Sequence, residues 1–128
     1  MKLANEYGGK SMSDRRHFLR LLKAEIADTI EDLTLVGERY RQRYEKSEIG
    51  SYVFQENSAT LQRELDALEN FNTIVDGIDP SVYKGISEMT DSLLARSREL
   101  VASHEDPEVI FLLLKRKMDK ILHYLSEG

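Results

Sequence analysis

Gly77-Ile78-Asp79-Pro80 and Asp106-Pro107-Glu108 decide how this chain folds. Each string sets an aspartate directly before one of the chain's 2 prolines. An aspartate at the N-cap accepts hydrogen bonds from the orphan N–H groups of a first helical turn. Proline lacks that N–H and fits the first helical position. Gly77 adds a C-cap signal for the segment ahead of it. The two strings cut 128 residues with almost no strand signal into helical pieces.

Outward from these strings, apolar residues recur at intervals of three, four and seven. The spacing predicts helices over about 14–46, 51–76, 80–104 and 107–126. Ser13 reads as the first N-cap, with Asp14 in the first turn. Residues 1–12 read as a flexible arm. The inward stripe of the first helix is Phe18, Leu22, Ile26, Ile30, Leu33, Tyr40 and Tyr44, with Gly37 inside it. The second stripe is Phe54, Asn57, Leu61, Leu65, Leu68, Phe71 and Val75. The third is Val82, Ile86, Met89, Leu93, Ser97 and Leu100, and the fourth is Ile110, Leu114, Met118, Ile121 and Leu125. Short connections make sequential helices antiparallel neighbours. The expected fold is all-α: an up-down-up-down four-helix bundle of one domain, 13–128, with a long first helix and a disordered N-terminal arm. Phe18, Leu22, Ile26, Leu61, Leu65, Leu68, Ile86, Leu93, Ile110, Leu114 and Ile121 are expected to form one core.

Composition narrows the function classes. With Cys 0, no disulfide, thiol nucleophile or thiolate metal site exists. No stretch reads as a signal peptide. The longest apolar run, Val109 to Leu114, is far too short for a bilayer, so a cytoplasmic protein with no membrane partner is expected. A net charge of -5 disfavours a general nucleic-acid binder. Residues 47–108 carry 13 acidic against 4 basic side chains, and both flanks are slightly basic. That distribution helps antiparallel neighbours attract.

Chemistry is sparse. Di-iron bundles place Glu-x-x-His on two helices, and no Glu here is followed three places on by His. The three His include His17 and His123, expected at one end of the bundle. No cofactor and no metal are expected. Glu45-x-x-Glu48 and Glu88-x-x-Asp91 have carboxylate spacing similar to that of MazG-type pyrophosphohydrolases. The first pair straddles a predicted helix end, however, and the two lie far apart. Arg39 and Arg43 share one helix face and Tyr40 and Tyr44 another, a pattern that can contact an anion or a nucleic acid. The plainer reading is two core tyrosines with solvated arginines.

Arg98 and His104, six residues apart and followed by Asp106-Pro107-Glu108-Val109-Ile110, resemble the Arg/His motif of HEPN domains. That resemblance implies a ribonuclease or RNA-binding subunit using Arg98 and His104, and it is the alternative reading.

The leading reading comes from Val109-Ile110-Phe111-Leu112-Leu113-Leu114. Six consecutive apolar residues surround a helix. Val109 and Leu112 point away from the main stripe and Leu113 lies to its side. A second cover is needed, from the chain itself or from a partner. Val109, Leu112 and Leu113 are therefore the candidate interface of a non-enzymatic interaction or adaptor module. Its expected partner is a protein, either a helical partner or a second copy in a homodimer.

Overall fold

The computed structural model describes residues 3–103 and 108–127, with side chains for 12–103 and 108–126. These residues form four α-helices and one 3-10 turn in an antiparallel up-down-up-down bundle: α1 (Leu3–Glu45), α2 (Ser51–Asp76), a 3-10 turn (Pro80–Val82), α3 (Ile86–Ser103) and α4 (Glu108–Glu127).

α1 begins at Leu3, ahead of the expected start at Asp14, so Ser13 is an interior position and not an N-cap. Described side-chain packing starts at Met12 and Arg15. α1 ends in a Schellman motif: Glu48 N–H donates to Arg43 C=O at 2.8 Å and Ser47 N–H to Tyr44 C=O at 3.0 Å. Ser47 takes the left-handed position (φ 61) that such a motif needs. α2 keeps its expected bounds and is capped by Gly77, whose N–H reaches Thr73 and Ile74 carbonyls.

The Asp79-Pro80 signal works locally but opens only one turn. Asp79 accepts from Ser81 N–H at 2.9 Å and Ser81 O–H at 2.7 Å. Those bonds hold its carboxyl below the ordinary range, the hydroxyl bond first. Tyr83 is then extended (ψ 147) and α3 starts at Ile86, not Pro80. The tyrosine explains the break. Its hydroxyl lies 3.1 Å from Ser92 Oγ. Nine residues of continuous helix would separate the two by about 13 Å along the axis. The restart is supported by Glu88, in the first turn of α3, which accepts from Lys84 N–H at 3.0 Å, one residue before the N-cap Gly85. Val82, expected inward, is instead 68% exposed. The Asp106-Pro107 signal lies outside the described residues.

The core holds Phe18, Leu22 and Ile26 of α1 against Leu68, Phe71 and Val75 of α2, Met89 and Leu93 of α3, and Ile110, Leu114, Met118 and Ile121 of α4. Ala67 and Val101 join it, and Ile86 packs against its edge. Leu65 is only half-buried and outside the core, and Leu61 is buried but stands apart from the cluster. Leu61 belongs to a different layer, level with Gly37. Lys23 pairs with Asp76, a methyl of Leu61 packs against Gly37, and the Tyr44 and Phe54 rings stack at 4.6 Å. These contacts set one antiparallel register for α1 and α2. Glu25 sets the other, taking Lys117 at 3.0 Å and Lys120 at 3.3 Å. Counting back along α4 at 1.5 Å per residue puts Glu108 about level with Leu35. Beyond that level α1 and α2 continue as a two-helix hairpin, roughly 15 Å long. Tyr40 and Tyr44, expected in the core, lie on this hairpin instead. Tyr40 is half-buried and Tyr44 exposed. Asn57 is half-buried there too. Four helices of unequal length cannot cover all of the longest stripe.

Candidate apolar interface at the hairpin end

Exposed apolar side chains cluster at one end. Among the described residues, Leu35, Tyr44, Tyr52, Val53, Val109 and Leu112 are large, apolar and exposed on the hairpin or on the first turns of α4. Val82 and Tyr124 are the exceptions. Val109 is 53% and Leu112 49% exposed, so the chain's own bundle does not cover them. Leu113, grouped with them in the sequence reading, is half-buried against the core. Buried Ile110, Phe111 and Leu114 complete that run, so its six residues serve two faces.

The seam between α1 and α4 leads up to this patch. His17 meets the Tyr124 ring edge-on at 6.4 Å. Leu21, Glu25, Lys120, Ile121 and Tyr124 line a shallow notch above it. Steps of three and four residues continue the seam from Glu25 through Asp28 and Asp32 to Leu35, and from Lys117 through Leu113 to Val109. Leu35, 51% exposed, and Val109 thus flank the top of the same seam.

Glu25 is the electrostatic centre of that seam. Lys117's hydrogen bond is the largest cause holding its carboxyl below the usual range, Lys120 adds to it, and burial opposes both. A depressed carboxylate contributes stability that is full above the unfolded-chain pKa and is lost as pH falls through the folded one. Glu25→Gln should therefore remove about 1 kcal/mol at neutral pH and flatten the acid limb of the stability curve below ordinary carboxylate values. Thermal melts across pH 2–7 check this. Parallel curves for the two proteins would show that the lysines do not act through the charge.

The other candidate residues are engaged or dispersed. Arg98 pairs with Glu108 at 2.6 Å, and its guanidinium sits 3.8 Å over the Phe111 ring. It pins the end of α3 to the start of α4. His104 lies outside the described residues. Arg43 pairs with Glu48 at 3.5 Å, and Arg41 with Glu38 at 2.5 Å and with Glu45 at 3.5 Å. Much of the positive charge of this basic-aromatic run is thus answered within the hairpin. Arg39 is exposed, Tyr40 is half-buried, and Tyr44 is occupied by Phe54. No group of three or more His, Asp or Glu that could hold a metal ion occurs among the described residues. No described helix is long and apolar enough to cross a membrane.

Sequence reasoning missed Arg15. It is only 6% exposed, its Nε and Nη1 have no hydrogen-bond partner among the described residues, and its Nη2 reaches Met12 Sδ at 3.0 Å. The available signal was phase: Arg15 precedes Phe18 by three residues and so extends the core stripe.

No family model, curated protein or solved structure matches the chain.

Proposed function

We propose that this protein is a non-enzymatic helical interaction module of the cytoplasm that self-associates through the first turns of α4 and the adjoining flank of α1. The observation that carries this reading is the exposure of Val109 and Leu112 at the hairpin end of the bundle, with Leu35 at the same level. Apolar side chains gathered on one side of a small domain mark an association surface more often than scattered ones do. A second copy supplies matching chemistry at no added complexity, because a twofold interface is built from one patch used twice. The test is solution mass. The wild-type chain should be a dimer, and Val109→Lys combined with Leu112→Glu should give a monomer with its helical signal intact. Both side chains point to solvent in the isolated chain, so the double substitution leaves the core alone. A wild-type monomer would overturn the reading.

A further inference from the structure

The α1–α4 face carries charges that its own chain does not answer. Glu25 is satisfied by Lys117 and Lys120, and Lys115 pairs with Asp119. Asp28, Glu31 and Asp32 on α1 and Arg116 on α4 are exposed and have no ion pair among the described residues. The register fixed by Glu25 puts Arg116 about level with Asp28, and Val109 about level with Leu35. Helix phase turns all four outward on this face at 100° per residue. One strip of the surface is thus acidic along α1 and basic at one point of α4, with apolar residues at its top on both helices.

Two twofold arrangements could stack this face on itself with the helices aligned. An axis perpendicular to the helices lays α1 on α1 and α4 on α4, and where it passes at the level of the three carboxylates it sets them against their copies. An axis parallel to the helices lays α1 on the other copy's α4 at equal height. At the heights that Glu25 and its two lysines fix, the second pairs Asp28 with Arg116 and Leu35 with Val109.

We propose that a second copy docks in parallel on the α1–α4 face, about a twofold axis running along the bundle. Asp28 of each copy then meets Arg116 of the other, beside two Leu35–Val109 contacts. This arrangement rests on the self-association reading above and adds its geometry. Like-charge contacts forced by a wrong arrangement are strongly unfavourable, so the charged pair fixes orientation while the apolar contacts supply affinity.

The test is charge exchange, read by sedimentation equilibrium, with circular dichroism confirming that each exposed-site variant stays folded. Asp28→Arg and Arg116→Asp should each weaken dimerisation by at least tenfold. The combination in one chain should restore it to within a few-fold of wild type, because both cross-copy pairs are re-formed with exchanged signs. If the wild type dimerises while the combined variant stays as weak as the singles, or the singles have no effect, the parallel arrangement is wrong and self-association survives. A wild type that is monomeric throughout overturns both.

Discussion

Phe71→Ala is expected to lower folding stability by about 3–5 kcal/mol. The ring is fully buried where α2 meets the other three helices, and it belongs to the cluster that includes Phe18, Met89, Leu93 and Leu114. Its removal takes apolar area out of burial and leaves a cavity that a close-packed interior cannot fully close. Leu65→Ala, two turns earlier in the same helix, should lose only about 1 kcal/mol, because Leu65 is half-buried and outside that cluster. Denaturant melts of both variants check this contrast. Equal losses would mean that Leu65 belongs to the same core as Phe71.

Arg15→Met is expected to act in the opposite direction, stabilising the fold by about 1–3 kcal/mol. The arginine occupies a core-stripe position with two buried N–H donors unsatisfied, and no described carboxylate answers its charge. A buried polar group without a partner carries its desolvation penalty uncompensated. Methionine keeps the length and the apolar stem, removes the charge, and fills irregular space well. A rise in melting temperature checks this. A fall of comparable size would show that the guanidinium has a counter-charge in solution.

These contrasts show where the sequence was legible. Helix periodicity identified Phe18, Leu22, Ile26, Leu68, Phe71, Leu93, Ile110 and Leu114 because each lies on a stripe that another helix covers. The same periodicity ran on through Tyr40 and Tyr44, which lie beyond the level of α4, where only the α1–α2 pairing remains. Periodicity reports which face a residue takes, not how long its neighbours are. Cap chemistry had the same kind of limit. Asp79-Pro80 does start a helical turn, but the tertiary contact from Tyr83 to Ser92 ends it within three residues. Nothing local to the string contains that contact. Arg15 is not legible by residue type, because an arginine near a helix start reads as solvated, although its phase is that of the core.

The apolar run at the start of α4 was the most informative part of the candidate site. A helix apolar all round demands two covers, and the bundle supplies one, over Ile110, Phe111 and Leu114. Which residues stay uncovered follows from phase alone. The role of Leu35 did not, since it depends on the relative heights of α1 and α4, which Glu25 and its two lysines fix.

Sedimentation equilibrium over a hundredfold concentration range decides whether the chain self-associates. The wild-type chain should approach twice its 14.8 kDa mass as concentration rises. The Val109→Lys, Leu112→Glu variant should remain at the single-chain mass with undiminished helicity. A wild type that holds the single-chain mass throughout would contradict self-association. Loss of helical signal in the variant would contradict the placement of both side chains outside the core.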